Sequence, residues 1–484
     1  MARRCSTCQS GRDGAPESAR LAPLVLAFLR NHPLTVAVHL LGLVIALRVL
    51  VTRRSPQSLM AWVLGLLVLP WVAVPFFFLF GARKLPRKVR GKHAPLLPPG
   101  GHAGLPEAHP AFNVPRVLRT EGVPGVSSGN AFELLGTGER AYEALHAEIA
   151  RARTSIDLTI FIIGDDEVGW SVVHALAGRA RAGVRVRLLV DAVGSRPIRS
   201  RAAAELRAAG GELRTFMPLL HAPLKGRTNL RSHRKVGVFD GARVFMGGMN
   251  LALEYMGPTP RPERWRDLAC ILAGPIASDA EQLFAADWAF AGGAEGVPPT
   301  VLPPPAGDAV LQLVPSGPEM KTDTFYDALL TALAAAKTHV ACVTPYYVPD
   351  DVVQHAFVLC GRRGVRTQLV MPARSNHSLA DNARRGLLAE LSDAGVELLW
   401  CDRMVHGKAM VVDDTVAYLG SPNLDMRSFF LNYEDALFVY SPPEVAAVRG
   451  WIASLADQCS TTQGPPSRRW WLIEDFARLM APEL

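Results

Sequence analysis

The sequence predicts an α/β protein made of two tandem α/β repeats with pseudo-twofold symmetry, preceded by two N-terminal transmembrane helices. Three observations support this fold class. Two long apolar runs lie within the first hundred residues, a strand–helix–strand pattern occurs twice in the rest of the chain, and each occurrence is followed by one copy of a His-x-Lys-x4-Asp motif. Because strand, helix and strand in this order form a parallel βαβ unit, the two occurrences are expected to be equivalent halves of one fold.

The apolar runs predict two membrane-spanning helices, at residues 34–51 and 59–80. The second run carries no charge, and at 1.5 Å per residue it covers roughly 33 Å, enough for a hydrocarbon core of about 30 Å. The first covers roughly 27 Å on the same basis, and its Arg48 would extend toward the headgroups. Pro70 and Pro75 are expected to kink the second helix. A helical hairpin buried in a soluble core is the alternative, which the charge-free run disfavours.

Positive charges predict the orientation of these helices and the compartment of the large domain. They precede the first run and follow the second: Arg3, Arg4, Arg12, Arg20 and Arg30, then Arg83, Lys84, Arg87, Lys88, Arg90 and Lys92. Because cytoplasmic segments carry the excess of positive residues, we expect a multi-pass protein of the cell inner membrane with a cytoplasmic catalytic domain. Seven cysteines without regular spacing agree with a reducing compartment and predict no disulfide framework.

The net charge of +8 implies an anionic partner, which could be lipid headgroups, nucleic acid or a phosphorylated substrate. The cations that follow the second apolar run would hold the domain against anionic lipid. A basic run at 221–235 is expected either to line the approach to a site, most of all at Asn229 and Arg231, or to form a solvated loop.

Composition and repeats predict the domain organisation. A Pro- and Gly-rich stretch follows the membrane part, and a second proline-rich stretch separates the two βαβ patterns at 155–191 and 338–372. The predicted domains are a membrane anchor at 1–92, a linker at 93–130, a first half at 131–300 and a second half at 301–484.

The strongest functional signal is the duplicated motif. Each copy has a His, a Lys two residues later, an Asp after four more residues, and an Asn seventeen residues after the His. The two sets are His233, Lys235, Asp240 and Asn250, and His406, Lys408, Asp413 and Asn423. A single His-x-Lys-x4-Asp would be weak evidence, whereas two copies in two repeats indicate a shared site.

Strand geometry indicates what each motif residue can do. Residues two apart in a strand share a face, so the His and Lys of each copy point the same way. Two-residue turns at 241–242 and 414–415 would place His233 opposite Asn250 and His406 opposite Asn423, with a type II′ turn at Gly241. Both motif aspartates would then lie at the turn ends, which favours a structural role, although we keep them among the catalytic candidates as members of the motif.

Two facing clusters would surround a phosphoryl group with two His, two Lys and two Asn and neutralise its charge. One imidazole could attack phosphorus while the other moves the proton of the leaving or incoming alcohol. The lysines supply positive charge, so no metal and no cofactor is expected, and activity should survive chelators. Ser421 is included with the asparagines as a phosphate ligand. Glu434 is the candidate to orient His406, and Asp267 the candidate to orient His233.

These motifs resemble the phospholipase D superfamily and, within it, the bacterial cardiolipin synthases. The matching stretches are the paired motifs, SGP at 316–318, TPYYVPD at 344–350, GSPNLDMRSFFLNYE at 420–434, WRD at 265–267 and the C-terminal RRWWLIEDFARLMAPEL. The resemblance implies two phospholipase D-like halves and a phosphatidyl-histidine intermediate, with His233 as nucleophile and His406 as general acid/base. It also implies that two phosphatidylglycerol molecules give cardiolipin and glycerol.

Other functions use the same site chemistry. Hydrolysis, or transfer to another alcohol such as ethanolamine, differs only in the acceptor. A nuclease or phosphodiesterase is less favoured, because membrane helices do not help to cut nucleic acid. We therefore expect phosphatidylglycerol and anionic membrane lipids as partners and no nucleic acid, while the oligomeric state is left open.

Overall fold

The computed structural model describes residues 31–51, 56–81, 104–218, 229–294 and 302–461. Two compact units make up the chain, Met1–Gly81 and Ala82–Leu484. Several sequence predictions lie outside the described residues: the arginines before the first apolar run, the cations at 83–92, the linker at 93–103, the basic run at 221–228 and the C-terminal motif after residue 461.

The described residues of the N-terminal unit form three helices, α1 (Pro33–Leu50), α2 (Pro56–Val68) and α3 (Pro70–Phe80). Among the described residues, α1 is the one helix long and apolar enough to cross a membrane. The predicted continuous helix at 59–80 is wrong, because the chain leaves the helical conformation at Leu69, with φ −129° and ψ 55°. Proline disfavours the helical conformation of the residue before it and lacks an N–H, so Pro70 begins a new helix instead of kinking the old one.

The large unit is built on one 14-stranded sheet with helices packed around it. Its strands, with the short β10 and β15 that pair separately, are β1 (Ser127–Leu135), β2 (Ser155–Ile160), β3 (Arg185–Asp191), β4 (Glu212–Phe216), β5 (Val236–Phe239), β6 (Arg243–Gly247), β7 (Ala269–Ala273), β8 (Ala309–Ser316), β9 (His339–Val343), β10 (Tyr347–Val348), β11 (Arg366–Pro372), β12 (Glu397–Cys401), β13 (Ala409–Val412), β14 (Val416–Gly420), β15 (Leu424–Asp425) and β16 (Glu434–Val439). Its helices are α4 (Asn113–Thr120), α5 (Gly138–Arg151), α6 (Glu167–Arg181), α7 (Arg199–Ala208), α8 (Ile276–Phe290), α9 (Thr324–Ala335), α10 (Asp351–Arg362), α11 (Ser378–Ala383), α12 (Arg385–Asp393), α13 (Met426–Phe430) and α14 (Pro442–Ala456).

The strand order shows the pseudo-twofold relation between the halves. It runs β12-β11-β9-β13-β14-β16-β8-β1-β7-β6-β5-β2-β3-β4, so each strand of the second half has a counterpart at the mirrored place in the first. The halves join where β1 and β8 pair antiparallel. Parallel pairing of β2 with β3 and of β9 with β11 confirms the two predicted βαβ units.

Three large apolar clusters form the core. One lies in each half, and the third contains residues of both halves together with α8 and α14, so the halves share buried surface. This common core fixes the first half against the second. The two motif copies are therefore held in a defined mutual position.

The segment before β1 is more ordered than a plain linker. Residues 113–120, expected within the 93–130 linker, form α4, and β1 already begins at Ser127. Val114 and Leu118 of α4 are buried in the same cluster as Phe325 and Leu329 of α9. The chain thus contacts the second half before it enters the first, because the apolar face of α4 needs a partner to cover it.

Cys401 and Cys459 form a disulfide, contrary to the expectation of a reducing compartment and no disulfide framework. The two cysteines are 58 residues apart and have no recognisable spacing. An antiparallel bridge between Trp400 and Ser460 brings the end of β12 beside the residues that follow α14. Tertiary structure, not sequence pattern, makes this pair.

Candidate active site

Each motif lies on a hairpin whose turn is one residue from its predicted position. The first turn is centred on Asp240 and Gly241, with φ 53° and 63°, and the second on Asp413 and Asp414, with φ 51° and 54°. Positive φ at both central residues is the property of a type I′ turn, not of the predicted II′. Strand pairing runs Phe239 to Arg243, so the predicted cross-strand partners also shift by one residue. Aspartate tolerates the left-handed conformation better than most residues, which allows this turn.

The motif aspartates anchor these turns. The Asp240 carboxylate accepts hydrogen bonds from the backbone N–H groups of residues 153–155 and from the Thr154 hydroxyl, at 2.7–3.0 Å. Asp413 accepts the equivalent four from residues 337–339. These donors lie before β2 and β9, at the ends of the hairpins remote from the histidines. This position supports a structural role for both aspartates and does not support a catalytic one.

The mouths of the hairpins are held by the opposite half of the protein. His233 donates its backbone N–H to the carbonyl of Tyr433 at 2.8 Å, and His406 donates its own to the carbonyl of Arg266 at 2.7 Å. Short parallel bridges accompany both contacts. His233 therefore lies beside the start of β16, in the second half, and His406 lies beside the residues that lead into β7, in the first half.

Because each hairpin mouth is held by the opposite half, each motif histidine is oriented by a carboxylate from the other half. Nδ1 of His233 lies 2.9 Å from Oε2 of Glu434, and Nδ1 of His406 lies 2.6 Å from Oδ2 of Asp267. The predicted pairing, Glu434 with His406 and Asp267 with His233, is therefore wrong, although both carboxylates are in the site. The expectation assumed partners within one half, whereas the bridges cross between halves.

Both histidines and both motif lysines are buried in the site. Lys235 donates to the carbonyl of His233 at 2.6 Å, while Nζ of Lys408 lies 2.7 Å from Nδ1 and 3.1 Å from Nε2 of His406. Burial lowers the pKa of His233 to about 4 and that of His406 to about 3, so both imidazoles are neutral at pH 7. Burial also lowers the pKa of Lys235 to about 8 and that of Lys408 to about 7.

Glu434 stays ionised in this buried setting. Burial alone would raise its pKa, but three effects lower it to about 2: the charge that His233 carries below pH 4, where its imidazole is protonated, the hydrogen bond from His233, and the charge of Lys235. Asn432 donates to Oε1 at 3.0 Å, and the Ser421 hydroxyl donates to Oε2. Ser421 also accepts from the backbone N–H of Asp435 at 2.9 Å. Its hydroxyl therefore holds the carboxylate, which corrects its expected role as a phosphate ligand.

The two motif asparagines are buried. Oδ1 of Asn250 accepts a hydrogen bond from the backbone N–H of Ile162 at 3.2 Å, so the N–H₂ group of the same amide points away from Ile162. Asn423 is fixed by its backbone N–H, which donates to Ser428 at 3.1 Å. Asn250 is 1 % and Asn423 6 % exposed, so neither amide serves as a solvated surface group.

Aromatic rings surround the two histidines unequally. His406 lies near Tyr255, Trp265 and Tyr346, with ring centroids 4.9, 5.5 and 6.4 Å away. For His233 the corresponding neighbour is Phe161, at 5.1 Å. Sequence reasoning did not assign these aromatics, although the position of Trp265 two residues before Asp267 was an available signal. Among the described residues, no group of His, Cys, Asp and Glu is arranged to hold a metal ion.

Two His-x-Lys hairpins facing each other across the junction of a duplicated α/β sheet define a phospholipase D-like protein. The family model described as "Cardiolipin synthase, PLD-like domain" matches residues 145–288 and 329–456. The chain belongs to this family, as its motifs suggested.

Relatives with this family name match almost the whole chain. A cardiolipin synthase of Geobacillus kaustophilus is 32 % identical over 461 residues, covering 91 % of this chain and 91 % of that protein. Cardiolipin synthase A of Pseudomonas entomophila is 30 % identical, covering 92 % and 97 %. Among solved structures, phosphatidylserine synthase of Haemophilus influenzae superposes with a TM-score of 0.55 at 14 % identity, covering 73 % of this chain and 95 % of that one. That likeness supports the fold alone.

Proposed function

We propose that the protein is a membrane-bound phosphatidyltransferase that makes cardiolipin from two phosphatidylglycerol molecules and releases glycerol. The observation that carries the proposal is the pair of buried His–carboxylate contacts, His233 with Glu434 and His406 with Asp267, beside two buried lysines. The names of relatives that match nine-tenths of the chain, cardiolipin synthases, support cardiolipin as the product.

The first chemical step forms the covalent intermediate. Nε2 of His233 attacks the phosphorus of the first phosphatidylglycerol, an N–P bond forms, and the P–O bond to the glycerol headgroup breaks. His406 donates a proton to the departing oxygen, so glycerol leaves as a neutral alcohol. The bound phosphodiester brings a negative charge beside His406, which raises the lowered pKa of this imidazole.

The second step reverses these roles. His406, now neutral, accepts the proton of a headgroup hydroxyl of the second phosphatidylglycerol, and its oxygen attacks phosphorus. The P–O bond forms, the N–P bond to His233 breaks, and cardiolipin is released. Lys235, Lys408 and the amides of Asn250 and Asn423 stabilise the charge on the phosphoryl oxygens, and neither metal nor cofactor enters the proposed scheme.

The surroundings of the two imidazoles support His233 as the nucleophile. Carboxylate contact at Nδ1 of His233 directs its other nitrogen, Nε2, toward the site as a lone-pair donor. At His406, the Lys408 ammonium lies 2.7 Å from Nδ1 and 3.1 Å from Nε2, and its positive charge makes this imidazole less nucleophilic. An imidazole placed between a carboxylate, an ammonium and three aromatic rings is better suited to carrying a proton than to attacking phosphorus.

We further propose that the protein is embedded in the inner membrane as a multi-pass protein with the catalytic unit in the cytoplasm. α1 is apolar and of spanning length, and the broken segment α2–α3 is apolar from Leu59 onward. The positive residues on both sides of this region favour that orientation, and anionic lipid is the partner they fit. A bulky lipid substrate held at the membrane also accounts for a basic protein that need not bind nucleic acid.

Incubation of the purified full-length protein with headgroup-labelled and acyl-labelled phosphatidylglycerol tests the proposed reaction. We expect acyl-labelled cardiolipin and free labelled glycerol in equal amounts, and no loss of activity in EDTA. Release of phosphatidic acid would identify a hydrolase, and product that appears only with added ethanolamine would identify a different acceptor. Failure to turn over any phosphatidyl lipid would contradict the proposal.

The lysines predict how activity depends on pH. Both must be protonated to hold the phosphoryl group, and the pKa values of Lys408 and Lys235 in the free enzyme are lowered to about 7 and about 8. We therefore expect kcat/KM, which reports the free enzyme, to be highest below pH 7 and to fall as pH rises through 7 to 8. In the complex the phosphate raises both values, so kcat should fall only at higher pH. A kcat/KM that stays constant from pH 6 to 9 would contradict this assignment.

A further inference from the structure

The residue between the motif His and Lys of the first half is a completely buried arginine. Arg234 is 1 % exposed, and its guanidinium lies 5.3 Å from the centre of the Tyr433 ring. Burying a positive charge is unfavourable unless its donors are paired. The hydrogen-bond partners of Arg234 explain how this buried charge is stabilised.

Those partners connect three separate elements to Arg234. Nη1 donates to both carboxylate oxygens of Asp287, near the end of α8, at 2.7 and 2.8 Å. Nη2 donates to Glu319, in the loop between β8 and α9. Nε donates to the main-chain carbonyl of Glu434 at 3.1 Å. The Arg234 guanidinium therefore links Glu434, which orients His233, to α8 in the first half and to the β8–α9 loop in the second.

This contact network also explains the SGP sequence at 316–318. A Cβ atom built on Gly317 would clash with Oε2 of Glu319, so the glycine provides the space for that carboxylate. The carbonyl of Ser316 also lies 3.5 Å from Nη2 of Arg234. Although burial by itself lowers the pKa of Arg234, the charges of Asp287 and Glu319 raise it above its ordinary value, so the charge is permanent.

The second half lacks this arrangement. The position equivalent to Arg234 is Gly407, and a Cβ atom there would clash with the ring of Trp451 from α14. The two halves thus differ at the residue between the motif His and Lys, directly beside the two histidines. His233 and Glu434 lie on the side with the arginine, and His406 and Asp267 on the side without it.

We propose that Arg234 is a positioning residue that holds Glu434 against His233 and so sets the direction of the attacking Nε2, with Asp287 and Glu319 as its anchors. This inference rests on the proposed function in taking His233 as the nucleophile. Near-attack geometry is sensitive to small displacements, so loosening the Glu434 backbone slows N–P bond formation without weakening lipid binding. Lysine cannot replace the arginine here, because an ammonium does not present a planar fork to three acceptors at once.

The test compares Arg234→Lys with Arg187→Lys. Arg187 is a matched control, since it also makes a bidentate contact with a buried aspartate, Asp157, at 2.6 Å and lies 5.5 Å from the Trp288 ring, but it contacts no motif residue. Rates are measured per folded protein with bis(p-nitrophenyl) phosphate, as release of p-nitrophenol and as acid-quenched phosphoryl-enzyme. We expect Arg234→Lys to lower kcat about 10- to 100-fold with KM within about twofold of wild type, and Arg187→Lys to leave both unchanged.

A double-mutant cycle separates positioning from general destabilisation. In a Glu434→Gln background, a residue that acts through Glu434 has little further effect, so Arg234→Lys should add less than about threefold. Additive losses, or equal losses in the Arg187→Lys control, would overturn the inference. If Arg234→Lys does not fold, Glu319→Gln, which leaves the Asp287 contact in place, carries the same expectation. Because the phosphodiester probe needs no lipid acceptor, these results stand apart from whether the natural product is cardiolipin.

Discussion

Replacing His406 by alanine is expected to lower phosphatidyl transfer from phosphatidylglycerol by about 10²- to 10⁴-fold, the usual contribution of a positioned general acid. Glycerol is a poor leaving group that needs a proton, and His406 is the group proposed to supply it. p-Nitrophenol leaves without one, so the first step alone, seen as the burst of p-nitrophenol and as phosphoryl-enzyme formed by the same variant, should stay within about tenfold of wild type, while the later turnover, which needs His406 as a base, should be slow. Parallel assays of the two substrates measure the difference.

His233→Ala is the matched variant for this experiment. A missing nucleophile cannot be replaced by a better leaving group, so we expect losses above about 10³-fold with both substrates and no phosphoryl-enzyme on acid quenching. If instead His233→Ala is the variant rescued by p-nitrophenol, the two histidines have exchanged roles. If neither variant loses activity, the site is not the one described.

The exchanged carboxylates predict the second large effect. Glu434→Gln should behave like a nucleophile variant and Asp267→Asn like a general-acid variant, because Glu434 contacts His233 and Asp267 contacts His406. We expect about a 10²- to 10⁴-fold loss with both substrates for Glu434→Gln, by analogy with the carboxylate of a catalytic triad. Asp267→Asn should show a comparable loss with phosphatidylglycerol but a small one in the burst of p-nitrophenol from the activated substrate.

The two amide substitutions keep size and shape, so each controls for the other. The opposite pattern, in which Asp267→Asn abolishes cleavage of both substrates, would restore the pairing within each half that local sequence suggested. Circular dichroism of both variants checks that the fold is kept. Equal effects of the two variants on both substrates would argue against separate roles for the two histidines.

Much of this site could be predicted from sequence because the motif is local and repeated. A period of two places His233 and Lys235 on one face of the chain, and a second copy at identical offsets supplies the opposing group. The βαβ halves follow in the same way from apolar runs and their order. Each of these inferences depends only on residues close together in the chain.

What could not be predicted depends on contacts between distant residues. The bridges that place Glu434 beside His233 join residues 201 positions apart, and no pattern within one half reveals them. The disulfide between Cys401 and Cys459 and the packing of α4 on the second half have the same origin. At Leu69 the problem was different, because a proline in an apolar run either kinks a helix or ends it, and backbone geometry alone decides which.

The exchange of carboxylates between the halves also bears on when the enzyme becomes active during synthesis. His233 is synthesised about two hundred residues before Glu434, the carboxylate that orients it. Asp267 is synthesised soon after His233, but the histidine that it orients, His406, is made only later. The apolar helices α1, α2 and α3 precede both halves, so they and the first half are made before Glu434 is. Since neither histidine has a full set of partners until the last strands join the sheet, the growing chain has no complete active site before the second half is made.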